Sequence, residues 1–260
     1  MAVRWTHYVN LVLFKARSDL LTETSRTYIG IAWWIIDPIL YMAVFYLVFD
    51  VFMERGGPGF VPFLLVGLVF FRWFSNCVSS GALSIRQGNT LMQQVYLPKI
   101  IFPVVTFLTD SFKFACTFVL LLPFLWLSGY EPTIHYLALI PLMAFQIVLI
   151  LACQLMAAAI LPVLPDLRYL INHGMTVLLF TSGIFYRVSE LPEELQRYLL
   201  ANPMANLLTC YRDVLMDAKW PDLEGLLPAL GGAAVLLLIA IGIIFKLDRR
   251  YPKIVRVRGA

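Results

Sequence analysis

Six stretches of this chain are each long and apolar enough to cross a lipid bilayer as a helix: residues 31–52, 60–80, 100–126, 136–161, 169–186 and 226–245. A bilayer core is about 30 Å thick, so about 20 predominantly apolar residues suffice for one crossing. Too little of the 260-residue chain is left over to build a second core, so one transmembrane domain is expected over 1–260. Composition points the same way. With 60% hydrophobic and 14% charged residues, the chain lacks the polar shell of a soluble fold, whereas lipid accepts apolar side chains on the outer faces of a bundle. The fold class is therefore an all-α integral membrane protein with six transmembrane helices.

The charges orient it. Six crossings put both termini on one side. That side holds Arg4, Lys15, Arg17, Arg26, Arg86, Lys99, Arg168, Lys246, Arg249, Arg250, Lys253, Arg256 and Arg258, and the other holds only Arg55, Arg187, Arg197, Arg212 and Lys219. Basic residues collect on the cytoplasmic side of spans, so both ends are expected in the cytoplasm. The formal net charge of +4 reads as topology and not as a nucleic-acid surface, because the cations flank apolar spans instead of forming a basic domain. Lys15, Arg17, Asp19, Glu23 and Arg26 interrupt the first apolar run. No cleavable signal peptide is therefore expected, and the first span is taken to direct insertion.

The segments between spans carry patterns of their own. Within residues 1–30, Trp5, Tyr8, Val9, Val12, Leu13, Ala16 and Leu20 repeat at helical spacing with Lys15 and Arg17 mostly off that face. This describes an amphipathic helix at the cytoplasmic interface, with packing on another subunit as the alternative. Trp33 and Trp34 suit the headgroup boundary, and Asp37-Pro38 predicts a kink. Residues 86–99 are polar, with a Gly88-Asn89 break, and predict a short helix lying across the cytoplasmic face. Residues 162–168 form the second cytoplasmic loop, and 246–260 a cytoplasmic tail. On the far side, 187–225 holds two helical patterns, 191–201 and 204–217, separated by Asn202-Pro203. Both are too short to cross, which suits re-entrant or gate helices at the outer mouth.

Three residue sets carry candidate chemistry. Asp110 and Lys113 lie three apart in the third span and share a helix face. A lone charge at mid-bilayer costs about 2.5–3.5 kcal/mol on insertion scales, so that face should meet protein or a wet cavity. The pair is either part of a pathway or an internal ion pair, and Arg72 has the same ambiguity. Phe45, Tyr46 and Phe49, then Phe70, Phe71, Trp73 and Phe74, then Phe180, Phe185 and Tyr186 make aromatic-rich first, second and fifth spans. Such rings stack on the C–H faces of sugars along a glycan path, or pack on one another and on lipid. Cys77, Cys116, Cys153 and Cys210 show neither disulfide nor metal spacing, and no metal site is expected.

No Gly-x-x-x-x-Gly-Lys-Ser/Thr phosphate loop occurs, so ATP-driven pumping by that route would need a motor on another chain. Rival classes fit less well. An intramembrane serine protease would need Ser80 and His173 as its pair, but Ser80 has no Gly-x-Ser-x setting and His173 sits at the cytoplasmic start of its span. A secondary carrier would show two repeats with broken helices at midplane, and none is visible. Nothing here needs a catalytic residue, and none is assigned.

Several motifs, in order, resemble the permease subunits of polysaccharide-exporting ABC transporters. They are Arg26-x-x-x-Ile29-Gly30-x-x-Trp33-x-x-x-x-Pro38, Leu65-Val66-Gly67-Leu68-Val69-Phe70-Phe71, Gln94-Val95-Tyr96-Leu97-Pro98-Lys99-Ile100-Ile101-Phe102-Pro103, and Asn202-Pro203-Met204 with Tyr211-Arg212. Two departures are Ser25-Arg26-Thr27 in place of a more basic run and Lys99 where arginine is common. The resemblance implies a homodimeric, non-enzymatic permease of the inner membrane working with two copies of a separate ATPase, which would carry the ATP and Mg. It implies a lipid-linked polysaccharide substrate, O-antigen ahead of capsule or teichoic acid, with another lipid or a drug as the alternative cargo. On this reading Arg86, Gln87, Asn89, Gln93, Asp166 and Arg168 face the ATPase. Phe45, Phe70, Trp73, Phe180, Phe185 and Tyr186 are candidates for the glycan path, and Asn202, Pro203 and Arg212 for an outer gate.

Overall fold

The computed structural model describes residues 2–25, 28, 30–52, 59–94 and 96–258, all of them in helices, turns or irregular links and none in a strand. Arg26, Ile29, Arg55 and Val95 lie outside the described residues, as do the side chains of Arg4, Trp5, Phe45, Phe49, Arg256 and Arg258. Among the described residues eleven α-helices follow in chain order: α1 Ala2–Ser25, α2 Trp33–Phe45, α3 Phe60–Gln87, α4 Asn89–Gln94, α5 Ile101–Leu127, α6 Leu139–Ile160, α7 Leu167–Thr181, α8 Glu193–Leu200, α9 Pro203–Leu215, α10 Leu227–Leu247 and α11 Tyr251–Arg258.

The hub is α3. It is apolar on nearly every side and buried along most of its length, from Val61 to Ile85, as expected of a helix enclosed by others. Its long neighbours are α5 and α6; α10 pairs with α6, and α9 leans on the Phe60 half of α3. Small residues permit the close approaches. Ala152, Ala158 and Ala159 of α6 have no exposed surface. A Cβ at Gly81 of α3 would collide with the Gln154 side chain of α6. Small residues at such contacts let helices attract through packing where lipid gives no hydrophobic drive.

Four helical stretches are long and apolar enough to cross a membrane among the described residues: Phe60–Gln94, Ile101–Leu127, Ile134–Ile160 and Glu224–Leu247. The other two expected spans are shorter as regular helix. The first is the 13-residue α2, with Pro38 inside it, which passes into a π-helical turn over Tyr46–Phe52. The fifth is the 15-residue α7, about 22 Å long at the α-helical rise. It stops where Gly183 adopts the left-handed conformation, with φ +67°, open to glycine at little steric cost.

The second span is longer than its apolar stretch suggests. α3 runs on to Gln87 and ends at Gly88, where a Cβ would meet the ring of Phe102. Arg86 and Gln87 thus ride on the last turn of α3, and Asn89 and Gln93 on α4. α1 packs along α5, burying Ala16 against Leu97, Ile101 and Val105. The Asn202-Pro203 break also has a structural account. The Asn202 side chain accepts from the Met204 N–H at 3.0 Å and caps α9, with Pro203 in its first turn.

Candidate functional site

At the Gln87 end of α3 the chain gathers every residue expected to face a motor. Ile85, Met92, Phe102, Ala158 and Tyr251 form one apolar cluster there. Ala82, Ala157 and Leu161, joined by Leu167 and Ile171, form another. These bring α3, α4, α11 and the 162–168 loop to one face. Gln93 donates to Asn89 along α4 at 3.3 Å. Asp166 lies exposed ahead of α7, and Arg168 stacks over the ring of Tyr169 at 4.8 Å.

Behind this face lies a joint between residues far apart in sequence. Asp248 at the end of α10 accepts from the Lys99 N–H and from the Tyr96 hydroxyl, each at 2.8 Å. Lys99 Nζ lies 4.0 Å from the same carboxylate and donates to the Leu97 carbonyl at 2.9 Å. Lys99 is 1% exposed and Asp248 7%. The bond to Asp248, and then its charge, hold the Tyr96 phenol above the ordinary tyrosine range. Tyr251, fully buried, donates to the Ala159 carbonyl at 3.0 Å. Sequence reading named Lys99 in a motif but found no role for Asp248 or Tyr251; the only signal was an acidic residue at the end of a span among Lys246, Arg249 and Arg250.

A cavity of about 290 Å3 opens between α2, α3 and α5, lined by Trp33, Trp34, Tyr41, Arg72, Asn76 and Asp110 among others. Its charges are paired in two groups. Arg72 lies 3.4 Å from Asp37 and over the Tyr41 ring at 3.9 Å. Lys113 lies 2.6 Å from Glu23 and 3.8 Å from Asp110, and Ser80 donates to Asp110. Asp110 and Lys113 are thus within ion-pair distance, and Glu23 at the end of α1 is a third member absent from the sequence reading.

The aromatic candidates separate. Phe70 has no exposed surface and stacks on Tyr211 at 3.6 Å between ring centroids. Trp73 stacks on Phe114 at 4.1 Å and donates to Ser111 at 3.1 Å. Both lie in the core. Phe180 is exposed and stacks on Phe185 at 5.4 Å, while Tyr186 donates back to the Phe180 carbonyl at 3.1 Å. The side chain of Phe45 lies outside the described residues. No residue of α7 is buried, and Tyr169, Asn172, His173, Thr176, Val177 and Phe180 all stand open.

At the Phe60 end, Arg212 of α9 is 6% exposed and acts as a clamp. It donates to the carbonyls of Phe63 at 3.2 Å, Gly183 at 2.7 Å and Ile184 at 3.2 Å, and its guanidinium sits 3.5 Å from the Phe63 ring centroid. The geometry needs Gly67, where a Cβ would run into the guanidinium. Asn202 donates to Ser182 at 3.2 Å, tying the start of α9 to the end of α7. Among the described residues no cluster of His, Cys, Asp and Glu could hold a metal.

A bundle of bilayer-length apolar helices, with charges paired inside it and a polar face at one end, defines a multi-pass membrane protein. The particular family is shown by comparison: the model of the ABC-2 type transporter family matches residues 21–216, and the chain belongs to that family. It is similar to the O-antigen export system permease protein RfbA of Myxococcus xanthus, 30% identical over 248 residues and covering 93% of this chain and 94% of that one. An RfbA of Klebsiella pneumoniae is 21% identical over 246 residues, covering 94% and 95%. The polysialic acid transport protein KpsM of Escherichia coli is 24% identical over 203 residues, covering 76% and 78%.

Proposed function

We propose that two copies of this chain form the membrane half of an exporter that carries lipid-linked polysaccharide across the inner membrane, driven by two copies of a separate ATPase. O-antigen is preferred over capsule or teichoic acid because a relative 30% identical to this chain is named for O-antigen export and matches nearly end to end. Residues 1–260 act as one permease domain of six spans, α2 and α7 completing the set, with both termini in the cytoplasm, a reading supported by the 13-to-5 split of cations.

One observation carries the reading. α7 leaves Asn172, His173, Thr176 and Phe180 open on the side away from α3. Polar side chains in a span avoid lipid and face protein or water. A second copy facing this side would enclose a polar, aromatic-edged passage between two α7 helices. A polymer must be threaded and not enclosed, so its walls must be smooth and only weakly sticky. Rings such as Phe180, Phe185 and Tyr186 meet that need without demanding one hydroxyl pattern. The α8–α9 pair, clamped by Arg212 and tied to α7 through Asn202, serves as the outer gate of re-entrant helices. Arg86, Gln87, Asn89, Gln93, Asp166 and Arg168 form the surface that meets the ATPase. Phe70 and Trp73 brace the bundle from its core, packing on α9 and α5.

The test separates wall from support. Alanine at Phe180, Phe185 and Tyr186 is expected to lower surface polysaccharide while leaving membrane yield and ATP hydrolysis near wild type. Alanine at Phe70 or Trp73 is expected to lower yield itself, since deleting a buried aromatic costs about 3–5 kcal/mol. Full export from the triple α7-side variant would remove those residues from the path.

A further inference from the structure

A carboxylate at the C-terminus of a helix opposes the helix dipole, which favours cations there. Asp248 occupies that place on α10 and is nearly buried. Its position is explained by what it binds. The Lys99 amide it accepts from stands just ahead of α5, at the end of a helix where negative charge is stabilised. Tyr251, three residues on, donates to Ala159 in the last turn of α6, where carbonyls lack intrahelical partners. α11 then packs on α4, and Tyr251 shares a cluster with Met92 of α4 and Ile85 of α3. The short segment after the last span therefore ties together the ends of α5, α6 and α10 and the side of α4. A groove lined by Gln93, Gln94, Tyr96, Arg249 and Pro252 runs between α4 and this segment.

We propose that Asp248 is a positioning residue for energy coupling, holding α4 through Tyr96 and Lys99 so that a push on α4 is delivered to the third, fourth and sixth spans together. This rests on the reading of α4 as the ATPase contact. Without the joint, α4 is attached to the bundle by Gly88 on one side, by the Tyr96-Leu97-Pro98 link on the other, and by the apolar contacts of Leu91 and Met92, including those with α11. A displacement of α4 would then be absorbed in those links instead of moving the spans. The joint is polar and directional, so it transmits position. Tyr96 keeps its bond only while residue 248 offers an acceptor oxygen.

The experiment uses the full chain co-expressed with its ATPase subunit in a host lacking the chromosomal permease, reading yield of the co-purified complex, ATP hydrolysis and surface polysaccharide separately. Asp248→Ala is expected to cut export about tenfold, within the usual range of coupling free energies, while the complex still forms and hydrolyses ATP. Asp248→Asn retains an acceptor for the Lys99 amide and is expected to restore most of the export. Tyr96→Phe, which removes one hydroxyl and leaves the Asp248–Lys99 contacts, is expected to show a milder loss of export at unchanged hydrolysis. Wild-type export in both Asp248→Ala and Tyr96→Phe overturns the proposal. So does a parallel fall of yield, hydrolysis and export in Asp248→Ala with a fully normal Tyr96→Phe, which makes Asp248 a folding contact only. Failure of the wild-type chain to bind an ATPase at all would instead strike the coupling reading beneath it.

Discussion

Arg212→Ala is expected to detach the α8–α9 pair from the rest of the bundle and to abolish export. The change strands the carbonyls of Gly183 and Ile184 and removes a second donor from the helical carbonyl of Phe63. An unsatisfied buried polar group costs about 1–3 kcal/mol, so the two stranded groups amount to several kcal/mol. The loss falls where α3, α9 and the turn after α7 meet. Arg212→Lys should rescue little, because one ammonium cannot reproduce the planar fork that reaches two elements at once. Gly67→Leu should resemble Arg212→Ala, since its side chain would occupy the guanidinium's place. The check is the thermal unfolding midpoint in detergent together with limited proteolysis between Arg187 and Ala201. Arg212→Ala should lower the midpoint and expose that segment to cleavage. Arg197→Ala, at an exposed position on α8, should do neither.

The second large effect belongs to Lys113. Among the described residues it pairs with both Glu23 and Asp110, at 2.6 and 3.8 Å. Lys113→Ala leaves two carboxylates without their counter-charge beside the cavity. Removing one partner of a buried pair costs about 3–5 kcal/mol, and the partial exposure of Lys113, 30%, scales that down. Loss of assembled protein is nonetheless expected to be severe. The triple change Glu23→Gln, Asp110→Asn, Lys113→Met should recover much of it, because no charge is then stranded. Asp110→Asn alone should be mild, since Lys113 keeps Glu23 and Ser80 keeps a partner. Strictly additive losses in the double-mutant cycle of Asp110 and Lys113 would show that the two side chains do not interact.

How far these contacts were legible in the sequence depends on what a bilayer hides. Apolar runs located the four bilayer-length helices α3, α5, α6 and α10, and chain breakers located helix ends: Gly88 after α3, Asn202-Pro203 before α9. Those signals are local. What the runs do not carry is a direction. In water the apolar face of a helix points inward, but lipid is as apolar as a protein core, so the apolar residues of α6 mark no side, and its packed face shows in Gln146 and Gln154, both fully buried and bonded to carbonyls of α3 and α5. The same blindness covers the aromatic residues. Phe70 and Phe180 look alike as apolar aromatics within spans, yet one stacks on Tyr211 in the core and the other stands exposed on α7. Arg212 looked like an outer-surface cation by its position in the chain. Its burial depends on Gly67, 145 residues earlier by numbering, and on a glycine-made turn at Gly183. Asp248 and Lys99 are 149 residues apart, and no local pattern predicts that pairing. Asp110 and Lys113 were legible as neighbours because three residues make one helix turn, whereas Glu23 arrives from α1 and was not.

The central claim is that this chain provides the membrane passage for a polysaccharide that a separate ATPase drives outward. The most direct measurement is the distribution of lipid-linked polymer in a host whose copy of the gene is deleted, with the polymer outside the cell and that retained inside measured separately. The account predicts loss of surface polymer with accumulation inside on its lipid carrier. It further predicts that the wild-type chain reverses this only alongside an ATPase competent to hydrolyse ATP. Undiminished surface polymer in the deletion, or full rescue with a hydrolysis-dead ATPase, would contradict it.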